Sequence, residues 1–235
     1  EQTTPEGIVV LSGGSSGIGA AASSLLAEKG YRVYALSRRG TAPLHPLIVP
    51  MAVDINDGQA VREAVGEVIE TCYFGALRLI REVLPHMRER HYGRIITVSS
   101  VAAVIPIPFQ AHYSAVKSAV MSLTEALSLE VKPFGIKCSC VLPGDASTGF
   151  TAARKRIEVK DSPYAEVLVR SVGKMEKDET NGMPPERIAS AIVKQATARR
   201  MKMVVTPGFG SKAINALFAI LPREFALWIV GLLYA

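Results

Sequence analysis

The chain has 235 residues, within the range one α/β domain occupies, and 49% hydrophobic content with mean hydropathy +0.23 supplies a large core. A formal net charge of +6 and a pI near 9.3 raise nucleic acid as a partner, but no basic run with interleaved aromatics appears. Lys and Arg are scattered apart from Arg38-Arg39, Arg154-Lys155-Arg156 and Arg199-Arg200, so a solvated basic surface and no nucleic-acid partner are expected.

The apolar run Gly7-Ile8-Val9-Val10-Leu11-Ser12 reads as a buried strand. It runs into Gly13-Gly14-Ser15-Ser16-Gly17-Ile18-Gly19 and then a helix over 17–29. Further strands are predicted at Tyr31–Ser37 and Leu47–Val53, the latter ending at Asp54, and a short helix at 57–65. From Glu67 to about Arg90, Leu77, Ile80, Val83 and Leu84 share one side of a long helix. Gly93–Ser99 is the next strand and delivers Ser100 at its carboxyl end; a helix over 112–132 follows. Gly135–Leu142 is another strand, with Cys138 and Cys140 on one face as small core residues, a poor geometry for a bridge. After Pro143-Gly144 a polar excursion covers 147–182, then a helix at 185–199 and a last strand at Met203–Val205. Alternating strands and helices argue for parallel βαβ units in one doubly wound α/β domain over 1–209. Residues 210–235 form a hydrophobic helical extension.

Two constellations carry chemistry. Strand, glycine-rich turn and helix in succession let backbone approach a pyrophosphate, whose charge is favoured at a helix N-terminus. Gly13, Ser15, Ser16, Gly17, Ile18 and Gly19 are the candidate lining. Farther on, Tyr113 and Lys117 stand four apart, on one helix face. The lysine cation can lie beside the phenol and favour its ionised form, with Ser100 hydrogen-bonding the same substrate oxygen. His112, next to Tyr113, diverges from it by about 100° and reads as a surface or helix-start residue.

In this combination the chain resembles the short-chain dehydrogenase/reductase family in its compact single-domain, Rossmann-type form. The signposts are Gly13-x-x-x-Gly17-Ile18-Gly19, Asp54, Ser100, Tyr113-x-x-x-Lys117, and Pro143-Gly144 with Thr148. The resemblance implies hydride transfer between a nicotinamide cofactor and an alcohol or carbonyl. It further implies that Asp54 contacts the adenine amino group, Thr148 holds the carboxamide, and Lys117 also bonds the nicotinamide ribose. No metal is expected. An NAD site places an acid about twenty residues after the glycine loop. Here Leu36-Ser37-Arg38-Arg39-Gly40 stands instead, so Arg38, with Ser37, is expected to pair with a 2′-phosphate and to select NADP(H).

Two departures stand out. The family has a strand in the middle of its sheet, an Asn-Asn-Ala-Gly turn and a substrate loop, roughly thirty residues beside the first strand of a doubly wound sheet. Nothing of the kind lies near Val65-Gly66-Glu67, and the natural protein is expected to carry it. Cys72 stands where the family has an asparagine that stabilises a helix irregularity and completes a proton relay. A thiol is a weak donor and acceptor, so an impaired relay is one reading and a small packed core residue the other.

The stretch 213–235 is greasy but split by Pro222-Arg223-Glu224, each piece too short to span a bilayer. Its uses are docking on the domain or a second subunit, a lid over an apolar substrate, or an interfacial membrane helix. A homodimer or homotetramer is implied by the resemblance. A cytoplasmic setting follows from the lack of a secretory signal before the first strand. Beside an alcohol/carbonyl oxidoreductase of an apolar substrate, the alternatives are an NADPH-binding sensor or scaffold, and a 3-oxoacyl reductase working with a carrier protein.

Overall fold

Short β-branched runs make the strands, and the loops between them fix how the strands line up. The computed structural model describes residues 7–37, 39–52, 69–148 and 163–234. The first half comprises β1 (Ile8–Ser12), α1 (Gly17–Glu28), β2 (Arg32–Ser37) and β3 (Ile48–Ala52). These strands pair in parallel in the order β1-β2-β3, from Ile8 opposite Arg32 and Val33 opposite Ile48. Leu26 and Ala27 of α1 pack on Val33 and Ala35 of β2 and Ile48 of β3. Each large aliphatic side chain buried there stabilises the domain by about 1.5–3 kcal/mol.

The second half begins with a π-helical turn, Glu70–Phe74, which continues as α2 (Gly75–Glu89). Then come β4 (Gly93–Val98), α3 (Ala111–Glu130), β5 (Ile136–Val141), α4 (Ala165–Thr180), α5 (Pro185–Thr197) and β6 (Val204–Val205). Here too the pairing is parallel, β4-β5-β6, with Gly93 opposite Ile136 and Cys140 opposite Val204. Ile80 of α2, Ile95 of β4, Leu127 of α3 and Ile136 and Cys138 of β5 form its core. Cys138 and Cys140 are both buried, as the strand pattern requires. The architecture is the expected α/β arrangement of parallel sheets flanked by helices.

Three elements differ from the sequence reading. The polar excursion over 147–182 contains the sixteen-residue α4. Its buried stripe is Ser171, Met175 and Glu179, four apart, so a helical face exists but little of it is apolar. The long helix expected from Glu67 is interrupted by the π turn before α2 starts. Cys72 in that turn is half-buried, not a fully packed core residue. The helix expected at 57–65 lies outside the described residues.

The two half-sheets meet without a shared ladder. Among the described residues no hydrogen-bonded pairing joins β1 to β4. β1 alternates exposed and half-buried, with Ile8 65% and Val10 48% exposed. The middle strand of a doubly wound sheet is normally covered on both faces, so this open edge is where a further strand would belong. Among the described residues, α5 is one element that joins the halves. Its Val193 enters the core of the first half. The Arg94 guanidinium of β4 donates to the carbonyls of Gln195 (3.0 Å) and Ala198 (2.7 Å) at the end of α5.

Candidate active site

The glycine turn is tied down by backbone alone. Gly13 and Gly14 N–H groups donate to the Leu36 carbonyl at the end of β2, at 2.8 and 3.2 Å. Gly13 (φ +73°) and Gly17 (φ +52°) adopt the left-handed conformation that favours glycine. Gly19 is packed so closely that a Cβ would run into the Gly13 carbonyl oxygen. Over Gly13, by contrast, a Cβ would meet nothing within 4 Å, and Ser16 and Gly17 are exposed. Ser16 takes the N-cap position of α1, with Ser15 before it and Ile18 in the first turn. The result is an open backbone cradle at a helix N-terminus, which fits a dinucleotide pyrophosphate. Thr148 reaches this cradle: a Cβ on Gly17 would lie 3.9 Å from its methyl group.

Tyr113 and Lys117 lie on α3, at its N-terminal end. Lys117 Nζ sits 5.5 Å from the Tyr113 ring centroid and donates to the Val98 carbonyl at 3.1 Å. That anchor is the last residue of β4, so the ammonium is held where Ser100 emerges. Ser100 caps the short 3-10 turn Val101–Ala103, its Oγ accepting from the Ala102 N–H at 3.1 Å. Pro143 and Gly144 are drawn in beside it, because Val101 N–H donates to the Pro143 carbonyl (2.9 Å) and Ser99 N–H to that of Val141 (2.8 Å). The structure thus brings Ser100, Tyr113, Lys117, Pro143 and Gly144 to the carboxyl ends of β4 and β5, where ligands bind in open α/β sheets. His112 is exposed, as expected of a helix-start residue.

Ser37 is buried, and its hydroxyl donates to the Thr41 carbonyl at 3.3 Å, inside its own loop. Arg38 and Asp54 lie outside the described residues.

Several residues that build the site were not singled out from the sequence. Ser99, almost fully buried, donates its hydroxyl to the Lys117 carbonyl at 2.7 Å and fastens α3 to the end of β4. Ser118 Oγ is 2.7 Å from the Ala103 carbonyl and holds the loop after Ser100 against the same helix. The signal for Ser99 was there: neighbouring serines at a strand end point to opposite sides, so one is structural when the other serves the site. Asp145 follows Gly144 on the rim of an open cavity of about 380 Å³ that also involves Asp178, Arg187 and Ser211. Burial, with Asp178 and Glu179 adding, holds the Asp145 carboxyl above its ordinary range.

Comparison with known proteins agrees with this geometry. The family model described as short chain dehydrogenase matches residues 54–158. A 3-ketodihydrosphingosine reductase from Bacteroides thetaiotaomicron is 34% identical over 90% of this chain and 90% of its own length. That alignment has 250 positions but takes in only about 212 residues here (90% of 235), leaving about 38 positions without a counterpart in this chain. Among solved structures, a short chain dehydrogenase from Burkholderia cenocepacia in complex with NADP has a TM-score of 0.72 at 21% identity, covering 96% of this chain and 97% of that one. One from Burkholderia phymatum in complex with NAD has a TM-score of 0.72 at 18% identity, covering 95% of each. A glycine cradle, a Tyr113–Lys117 helix face and a full-length relative converge on one conclusion: this chain belongs to the short-chain dehydrogenase/reductase family of oxidoreductases.

Proposed function

We propose that the chain interconverts an alcohol and a ketone on a long apolar substrate, using NADP(H). The observation that carries this reading is the placement of Lys117 Nζ, 5.5 Å from the Tyr113 ring and anchored on Val98 beside Ser100. A nicotinamide cofactor, when bound, supplies or accepts the hydride. The glycine turn and the N-terminus of α1 would hold its pyrophosphate, and Thr148, beside Gly17, would line the same site. In the reducing direction Ser100 Oγ donates to the substrate oxygen and Tyr113 gives it a proton. Lys117 stabilises the phenolate left behind. In the oxidising direction the same phenolate takes the alcohol proton.

NADP(H) preference rests on Arg38, for which no carboxylate substitutes after β2. Arg38→Glu should lower NADPH affinity by roughly 100-fold, the loss of a charge-assisted bidentate contact, with NADH much less affected. Unchanged preference would refute the assignment. The apolar substrate is supported by the greasy C-terminal extension and by the relative's name. NADPH oxidation should be fastest with 3-ketodihydrosphingosine or another long-chain ketone and slow with short, polar ketones. The reverse order would overturn the substrate class.

A second reading, a weakly active NADPH-binding sensor, is favoured by one feature. The π turn that would carry a relay asparagine is present, but Cys72 occupies it. Tight NADPH binding without turnover on any carbonyl would select that reading.

A further inference from the structure

The extension after β6 folds as α6 (Phe209–Ile220) and α7 (Arg223–Tyr234), and both helices turn large apolar side chains outward. At about 100° per residue, Ser211, Asn215 and Phe218 share one side of α6. Ser211 packs on Gly144, and Asn215 Nδ2 donates to Thr206 Oγ1 at 3.2 Å, so this side faces the domain. Away from it stand Phe209, Ile214, Leu217 and Ile220, all exposed, over an arc of about 140°. α7 likewise turns large apolar side chains outward. Arg223, Ala226, Val230 and Tyr234 form its inner face: Ala226 and Val230 are buried, and Arg223 donates to the Val104 carbonyl at 3.2 Å. Lys174 of α4 lies 5.2 Å from the Tyr234 ring. The outer face presents Phe225, Trp228 and Leu232, spaced i, i+3, i+7, with the Phe225 and Trp228 rings stacked at 5.5 Å. On α6 polar groups thus face the protein and apolar ones face outward, the reverse of the usual amphipathic arrangement, while α7 is apolar on both its inner and its outer side.

We infer that α6 and α7 lie in the surface of an anionic lipid bilayer, their outer faces in the acyl boundary. Neither crosses it: no described helix is long and apolar enough. Two observations favour lipid over a second copy of the chain. The charges of residues 209–234 are Lys212, Arg223 and Glu224, and the chain carries +6 overall, complementary to acidic headgroups. Trp228, exposed on the outer face beside Phe225, supplies an aromatic ring of the kind enriched at membrane–water interfaces. Through Arg223 on the loop after Ser100 and Ser211 on Gly144, the immersed helices are fastened to the active-site rim, so a lipid substrate would enter from the bilayer. The membrane contact itself does not depend on the proposed activity.

Trp228 is the chain's single tryptophan, so its emission reports the outer face directly. Full-length protein is titrated with phosphatidylcholine vesicles containing or lacking phosphatidylglycerol, with no cofactor or substrate present. Emission should shift to the blue and be quenched by bromine-labelled acyl chains, with weaker binding on neutral vesicles and at high salt. Leu232→Glu and Leu217→Glu should each weaken partitioning at least about 10-fold, with unchanged circular dichroism. No shift and no co-sedimentation with either vesicle by the wild-type protein would overturn the proposal. So would a blue shift that grows with protein concentration alone, together with a doubled mass, since a second copy would then cover this face.

Discussion

β5, the middle strand of its half-sheet, and β1, the edge strand of the other, have opposite surroundings. β5 is buried at five of its six residues, with Cys140 and Val141 fully covered; β1 leaves Ile8 and Val10 open to solvent. β5 has β4 on one side and β6 on the other, whereas β1 has only β2 among the described strands. The candidate catalytic residues Ser100, Tyr113 and Lys117 belong to the closed half and the candidate cofactor cradle to the open one. The former stand on a well-buried strand pair, while the cradle is positioned by α1, α5 and the Gly17–Thr148 approach. An edge strand offers unpaired N–H and C=O groups.

The comparison can be broken at several points, the sharpest in the closed half. Lys117→Met removes the ammonium beside Tyr113 and should lower kcat by about 10³-fold, within the range of lost acid–base catalysis. Because the side chain is anchored on Val98 and not in the core, melting temperature should barely move. In the open half, Gly19→Val drives a side chain into the Gly13 carbonyl. NADPH affinity should fall at least about 100-fold by isothermal titration, with a stability loss of about 1–3 kcal/mol from overpacking. Arg94→Ala cuts both hydrogen bonds from β4 to the end of α5 and should cost about 1.5–3 kcal/mol in urea unfolding. If the halves are held mainly elsewhere, that variant will unfold like wild type.

Thiol labelling separates the halves more gently. Burial pushes the Cys138 thiol up to about 11 and raises Cys140 as well. A thiol reagent at pH 8 should modify half-buried Cys72 first, and Cys138 and Cys140 only after unfolding. Simultaneous labelling of all three would mean that the closed half opens readily. The smallest change concerns length: we expect the natural protein to carry a further segment of about thirty residues between β3 and α2, in keeping with the strand order of doubly wound sheets. Its intact mass would then lie well above the 25.2 kDa of these 235 residues. A mass equal to that value would mean that β1 keeps its open edge.

Much of this architecture was legible in the residues. The strands announce themselves because parallel strands covered on both sides read as continuous apolar runs, as in Val33-Tyr34-Ala35-Leu36. The glycine turn and the Tyr113–Lys117 spacing are local, so they survive reading in one dimension. α4 was not legible, because its buried stripe uses Ser171 and Glu179 where a helical pattern would show leucine. Nor were the anchors of the site. The Val98 carbonyl under Lys117 and the Pro143 carbonyl under Val101 are backbone groups, and any residue type supplies them. Which sides of α6 and α7 face outward also depends on tertiary packing. Their apolar content is visible in sequence, but which side docks is decided by Ser211, Asn215 and Arg223 finding partners.

The central claim is that the Tyr113 hydroxyl, positioned by α3 beside Lys117 and Ser100, handles the substrate's proton. Tyr113→Phe tests it with two readouts on one sample: NADPH binding by fluorescence and NADPH oxidation with a long-chain ketone. The account predicts binding within about twofold of wild type and turnover lower by about 10²–10⁴-fold. Turnover close to wild type, with binding intact, would contradict it.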